Sequence, residues 1–376
     1  MPFRKVSVME LRMEFVKLAC QNGANIRQLC RRYQIASATA YKWIRRYQES
    51  GEEGLKDRSR RPRNSPNRSD SAFEHQVLRV RAEQAAWGAV TIRRVLQDEG
   101  IAVKAASTIH AILVRNGQID PAEGEKHKSW QRFEHPAPND LWQMDFKGHF
   151  PIRNGQRCHP LTVLDDHSRF VVCLKACENE KTGTVQQHLT GVFRQYGLPL
   201  RMTMDNGAPW GNDAVHRDTP LTVWLRRLGV RVSHSRPYHP QTQGKDERFH
   251  RTLKTELLRG RIFDAFPAVQ PVFDNYRNIY NQRRPHHAIG LETPIRRYQL
   301  SPRTFPEQLP VIEYADRDTV RKVDDKGLIC FKGRRISVGK GYRDYPVALR
   351  ATEREGVWNI FFCCDPIAVF DIHSAN

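Results

Sequence analysis

The chain of 376 residues predicts a multidomain protein. All-α helix-turn-helix units come first, a central α/β unit with a mixed five-stranded sheet follows, and a small β-barrel closes the chain. Three observations lead there. Helical periodicity holds to about residue 117, strand and helix patterns alternate from 141 to 282, and six short strand-like runs follow from about 310. The expected divisions are 1–50 and 72–117 for the helical units, 138–300 for the α/β unit and 310–376 for the barrel. The stretches 51–71 and 118–137 read as linkers.

Charge narrows the function classes. Lys and Arg number 61 against 41 Asp and Glu, a net +20, which makes a polyanion the expected partner. Hydrophobic residues at 39% can build real cores. No apolar stretch approaches the roughly 18 residues of a membrane span. The start, MPFRKVSVMELRMEF, lacks the pattern of a signal peptide, so a cytoplasmic protein is expected. The eight cysteines are scattered without zinc-ligand spacing and read as reduced thiols.

Residues 1–63 hold fifteen Lys or Arg against six acids. Residues 8–22 form an amphipathic pattern, Asn25 caps a short helix over 26–33, and a tight turn leads to a third over 37–47. That layout matches a helix-turn-helix, whose last helix enters a major groove. Ser37, Thr39, Lys42, Arg45 and Arg46 on it are the candidate DNA contacts. The segment SGEEGLKDRSRRPRNSPNRSDS reads as a basic linker. Helical patterns over 72–84, 91–99 and 106–116 repeat the three-helix layout.

From 141 the segments LWQMDFKGHFPI, HPLTVLDD and RFVVCLKA read as three strands in hairpin order. A helix over 182–196, the strand LRMTMD, a helix over 220–228, the strand VRVSHS and a long helix over 241–258 follow, then another helix over 268–282. This order implies a mixed sheet with helices on both faces. The C-terminal runs VRKV, GLICFKG, RRISVG, YPVALRAT, VWNIFFCC and IAVFDI suggest the barrel.

Three carboxylates stand out in combination. Asp145 lies within a hydrophobic strand, where a carboxylate is costly unless paired or bound to a cation. Asp205 ends a strand at a turn, and Glu247 opens the long helix. The intervals are 59 and 41 residues, and the strand order would place the ends of the first and fourth strands side by side with the helix across them. Three oxygen ligands suit Mg²⁺ or Mn²⁺, and two such ions are what in-line displacement at a phosphodiester requires. Asp165 and Asp166 are rival ligands, read as capping a hairpin turn. His234, His239, His286 and His287 read as structural or phosphate-facing.

The motifs WQMDFKG, TVLDDHSRFVV, MTMDNG, HPQTQGKDERFHRTLKTEL and YNQRRPHHAIGLETP together resemble the DDE core of insertion-sequence transposases, which have a retroviral-integrase-type, ribonuclease-H-like fold. The resemblance implies that Asp145, Asp205 and Glu247 are the catalytic, metal-binding triad. Lys254 matches the basic residue that the family places seven after the glutamate, and Arg251 lies on the same helix face. The resemblance further implies a bacterial, DNA-associated enzyme. It would bind the terminal inverted repeats of its element, cut there with two metal ions and join the ends to target DNA as a homo-oligomer. The interval of 41 exceeds that of the retroviral branch, and the extra length falls in APWGNDAVHRDTP.

One expectation follows directly from the charge. Binding to element-end DNA should fall with salt at a log–log slope of about −0.9 per phosphate contacted. Lys42→Ala or Arg45→Ala should weaken it, by about 1–3 kcal/mol at one base pair for a base-reading contact and uniformly for a phosphate contact. Gel shifts across salt concentrations measure both, and unchanged footprints in both variants would remove this helix from the interface.

Overall fold

The structure is a computed structural model, and it describes residues 7–58, 69–119, 134–211, 218–234 and 244–373. Parts of the expected linkers, the middle of APWGNDAVHRDTP and the segment containing His239 lie outside the described residues. The chain divides into two compact units, 1–68 and 69–376.

In the first unit, α1 (Val8–Ala19), α2 (Ile26–Arg32) and α3 (Ser37–Ser50) form the helix-turn-helix. Ser7 and Glu10 cap α1 reciprocally, and Asn25 Oδ1 accepts the Gln28 N–H at 3.1 Å. Phe15, Val16, Cys30, Ala40 and Trp43 make the core, and Leu55 completes it. The linker therefore begins later than expected. Gly51–Leu55 is a 3₁₀ turn, its Leu55 carbonyl held by Arg12 at 2.9 Å, because an apolar side chain in reach of an open core is buried rather than solvated.

The second unit opens with α4 (Ser71–Glu83), α5 (Ala89–Asp98) and α6 (Ala106–Arg115) around Val77, Ile92, Leu96 and Ile109. This trio belongs to the same compact unit as the α/β core, so the boundary expected between 117 and 138 is not a division of the fold. Ile279 packs on its core, and Arg283 pairs with Glu83 at 2.6 Å and Glu99 at 3.0 Å.

The α/β core contains β1 (Trp142–Phe146), the short β2 (Phe150–Pro151), β3 (Arg157–Asp165), β4 (Val171–Cys177), β5 (Arg201–Met204) and β6 (Arg231–His234). The main strands run in the order β4-β3-β1-β5-β6, with β2 beside β3. β1, β3 and β4 pair antiparallel, while β5 runs parallel to β1 and β6. The mixed sheet read from the sequence is present. Trp142, Met144 and Phe146 bury one face of β1 against α7 (Thr182–Tyr196) and α8 (Pro220–Arg227). The other face meets α9 (Gly244–Leu253) and α10 (Val269–Gln282) through Phe249, Leu253, Phe273 and Tyr280. Strand alternation sends Gln143 and Asp145 to that second face. The expected long helix is described from Gly244 on and changes to a π-helical stretch over Lys254–Leu258, while its expected first residues, 241–243, lie outside the described residues. A short helix, α11 (Pro294–Arg297), follows.

The C-terminal segment corrects the barrel. β7 (Thr319–Lys322), β10 (Pro346–Ala351), β11 (Val357–Phe362) and β12 (Asp365–Asp371) form an open four-stranded sheet, and β8 (Leu328–Phe331) pairs only with β9 (Arg334–Ser337). All six strands fall where the sequence placed them, but their edges do not pair to close. One face packs instead on α8: Val223 joins the cluster of Val323, Val347 and Phe362, and Tyr342 donates to Asp218 at 2.6 Å. No helix among the described residues is long and apolar enough to cross a membrane.

β4 is an edge strand, and α10 supplies what a neighbouring strand would. The buried Asn281 accepts the Val171 N–H at 2.8 Å and donates to the Val171 carbonyl at 3.0 Å. Asn281→Leu leaves both backbone groups dry and unpaired, so it should cost about 3 kcal/mol. Denaturant unfolding measures this, and a loss below about 1 kcal/mol would mean that water reaches Val171.

Candidate active site

Asp145 sits one residue from the end of β1, opposite Thr162 of β3. One carboxylate oxygen accepts the Phe146 N–H at 2.8 Å. Asp205 follows β5, the parallel neighbour of β1, and accepts the Gly207 N–H at 3.0 Å. His234 donates through Nδ1 to the Asp205 carbonyl at 2.8 Å. Glu247 lies in the first turn of α9, exposed, while its neighbour Asp246 is buried.

Asp145 feels the charge of the other two. The Asp145 carboxyl is raised from its ordinary 3.8 to about 7, first by burial and then by the negative charges of Asp205, Glu180 and Glu247. Among the described residues, no Lys or Arg forms an ion pair with Asp145, Asp205 or Glu247. The cluster is thus short of positive charge and offers hard oxygen donors, the conditions that suit a divalent cation such as Mg²⁺ or Mn²⁺.

Two residues beside the triad escaped the sequence reading. Asp145, Asp246 and His250 each offer a ligand atom, all within 4.8 Å of one another. The Thr162 hydroxyl stands among them, 3.2 Å from both Asp246 oxygens, 2.8 Å from His250 Nε2 and 2.9 Å from the Asp145 carbonyl oxygen. His250 is held neutral, its pKa lowered to about 3 by burial and then by the Lys147 ammonium. A neutral ring that donates through Nε2 to Thr162 leaves the single hydroxyl proton for Asp246 or the Asp145 carbonyl. Burial and the charge of Asp145 hold the Asp246 carboxyl well above the usual range. With Thr162 already bonded to both, Asp246 and His250 form the back wall of the site. The 246/250 spacing of one helical turn was the signal available beforehand.

The rival carboxylates are occupied. Asp165 accepts from the N–H groups of Asn139 at 2.7 Å and Ser168 at 2.8 Å, and from the Ser168 hydroxyl at 2.5 Å. Asp166 accepts from the His135 N–H and Gln143 Nε2, both at 2.9 Å, and pairs with Lys245. His286 is buried beside Arg284, and its pKa is far below the ordinary value through burial and surrounding cations. His287 is exposed. Arg251 on α9 and Lys254 at the start of the π-helical stretch are exposed, whereas His250 turns inward. On α3, Ser37, Lys42 and Arg45 are exposed and Thr39 and Arg46 half-buried. Lys42 and Arg46 lie over the Trp43 ring at 5.0 and 5.1 Å.

Comparison with known families agrees with this layout. Residues 135–240 and 228–294 each match a profile described as an integrase core domain. Residues 11–63 match a helix-turn-helix domain and 39–113 a homeodomain-like domain. Residues 318–376 match the C-terminal domain of IS481 family transposases. The matched domains together support an insertion-sequence transposase with an integrase-type core.

It is 27% identical over 157 residues to the insertion element IS476 uncharacterized 39.2 kDa protein of Xanthomonas euvesicatoria, covering 42% of this chain and 43% of that protein. To the Pro-Pol polyprotein of feline foamy virus it is 29% identical over 168 residues, covering 42% of this chain and 14% of the polyprotein. The chain therefore spans less than half the length of either relative. A solved HTLV-2 integrase catalytic core domain in complex with magnesium aligns at 13% identity, over 44% of this chain and 99% of that one, with a TM-score of 0.33.

The raised Asp145 pKa has a pH signature. A carboxyl whose folded pKa exceeds its unfolded value stabilises the fold fully only below the unfolded value. That contribution is lost as pH climbs from about 4 to about 7. A dication competes with the same proton, so Mn²⁺ affinity should rise with pH and level off above about 7. Calorimetric titration of wild type and Asp145→Asn checks this, since the variant should bind weakly and with a flatter pH profile. A wild-type affinity constant between about pH 6 and 8 would remove Asp145 from the site.

Proposed function

We propose that the chain is a DNA transposase, a polynucleotidyl transferase that cuts phosphodiester bonds at the ends of its own insertion sequence and joins them to target DNA. The observation that supports this reading is the raised pKa of Asp145, to which the negative charges of Asp205 and Glu247, from elements far away in sequence, contribute. None of the three forms an ion pair with Lys or Arg among the described residues. When bound there, two Mg²⁺ or Mn²⁺ ions supply activation of the attacking oxygen and stabilisation of the leaving oxygen. Asp145 and Asp205 would hold them, each carboxylate steadied by one backbone N–H. Glu247, projecting from the exposed side of α9, would complete the set.

The helix-turn-helix units would bind the terminal inverted repeats, through Ser37, Thr39, Lys42, Arg45 and Arg46 on α3. Arg251 and Lys254, exposed beyond Glu247, would meet phosphates near the cleavage position. Such an enzyme works as a homo-oligomer on double-stranded DNA, since two ends have to be handled together. The attacking groups are water and then the freed 3′-hydroxyl, so no protein nucleophile is needed.

The test is cleavage and strand transfer of labelled end DNA with Mg²⁺ or Mn²⁺, beside a gel shift on the same protein. Glu247→Gln, Asp145→Asn and Asp205→Asn should each lower both reactions by about a hundredfold or more, because charge stabilisation of the transition state is lost. End binding should persist, because it resides in other domains. Joining at the wild-type rate by Glu247→Gln would sink the triad.

A further inference from the structure

The strand that carries Asp145 continues to pair past its end, since the Lys147 N–H donates to the Pro160 carbonyl at 3.0 Å. Two residues on from Asp145, Lys147 shares its face of the sheet, the face covered by α9. The helix runs alongside. Asp246 and His250 meet Thr162 beside Asp145, and Lys254 comes one turn after His250. Strand and helix therefore set Asp145 against Asp246 and His250, and Lys147 against His250 and Lys254.

The charges follow that geometry. The Lys147 ammonium is lowered by burial and then by the Lys254 charge, and Lys147 in turn lowers His250. The groups facing this spot are Asp145 and Lys147 on the strand with Asp246, His250 and Lys254 on the helix. Several other buried cations are ion-paired: Arg226 with Asp218, Arg284 with Glu256 and Lys245 with Asp166. Among the described residues, neither Lys147 nor Lys254 forms an ion pair. Two like charges without ion pairs among the described residues, one half-buried and one exposed, make a site for a doubly contacted anion.

We infer that Lys147 and Lys254 clasp one backbone phosphate of the DNA end, at the flank of the proposed triad, with His250 as the floor between them. The inference rests on the transposase reading and extends it to Lys147, which nothing in the motif arithmetic had singled out. The clasp would set the register of the scissile bond, because a phosphate fixed next to the carboxylates fixes the distance along the backbone to the bond that is cut.

The full-length chain is tested with a duplex carrying the inverted repeat beside its coding sequence. Single methylphosphonates, which remove one phosphate charge, are placed one at a time around the cleavage position. For wild type, neutralising one phosphate should weaken binding about tenfold, as expected for a lost charge-assisted contact. Lys147→Met should bind the unmodified duplex about as weakly, show a log–log salt slope shallower by about 1, and no longer respond to that methylphosphonate. Lys147→Arg should restore most of the binding. The melting temperature and Mn²⁺ affinity of both variants are read alongside, and a folded Lys147→Met that keeps the wild-type salt slope and methylphosphonate pattern overturns the clasp. If Lys147→Met does not fold, loss of the pattern in Lys254→Met supports the clasp and its persistence there overturns it. Binding is read without added metal. A chain that shows the methylphosphonate pattern yet never cuts DNA keeps the clasp and fails the transposase reading.

Discussion

Two carboxylates buried side by side repel each other and lose hydration, and a fold that holds them so must supply other contacts to offset that cost. Asp145 and Asp246 stand in that relation at the junction of β1 and α9. The offset comes from Thr162, whose hydroxyl can accept from His250 and donate its one proton to either Asp246 or the Asp145 carbonyl oxygen. It also comes from the Asp246 backbone N–H, which donates to Gln143 at 3.3 Å, and from Lys245, paired with Asp166. These contacts fix the rotation of α9 about its axis. Once Asp246 faces inward, Glu247 has to lie about 100° further round, toward the open side. The exposed Glu247 is placed by its buried neighbours, with little packing of its own.

The same division between buried anchor and exposed working residue runs along the helix. Phe249 and Leu253 bury their side chains among Phe273, Tyr276 and Tyr280, while Arg251 and Lys254 stay at the surface. The half of the sheet opposite α9 is different in kind. Trp142, Met144, Phe146, Leu189 and Phe193 pack without polar interruption and make the rigid support on which β1 rests. The candidate site thus sits on a sheet with one apolar face and one face where Gln143, Asp145 and Thr162 break the apolar surface.

The outer parts join the core by unlike means. The C-terminal sheet is attached through apolar contacts at Val223 and through Arg226, which bridges Asp218 at 3.2 Å and Asp365 at 2.9 Å. The second helical trio rests on Ile279 and on partly exposed pairs such as Arg283 with Glu83 and Arg296 with Asp98 at 3.5 Å. Partly exposed pairs contribute little each and weaken with salt. That contact is the more easily loosened of the two, which suits a reading domain that has to settle on DNA.

Periodicity determined much of this protein. The helices over α1 to α7 and the six C-terminal strands lie where apolar spacing placed them, because amphipathic faces depend on local order alone. The proposed triad was named from motifs whose residue types and intervals are written along the chain. Closure of the C-terminal strands was not, since whether two edges meet depends on curvature and on what α8 offers instead. Leu55 was read as linker because its partners, Phe15 and Trp43, are distant in sequence. Asp246, His250, Thr162 and Lys147 acquire meaning only when β3 pairs with β1 and α9 crosses both. The sequence by itself determined which elements form and which carboxylates could act. Tertiary structure alone decided which polar side chains face each other across the buried junction, because burial and the electrostatics it amplifies belong to pairs of surfaces and not to the chain.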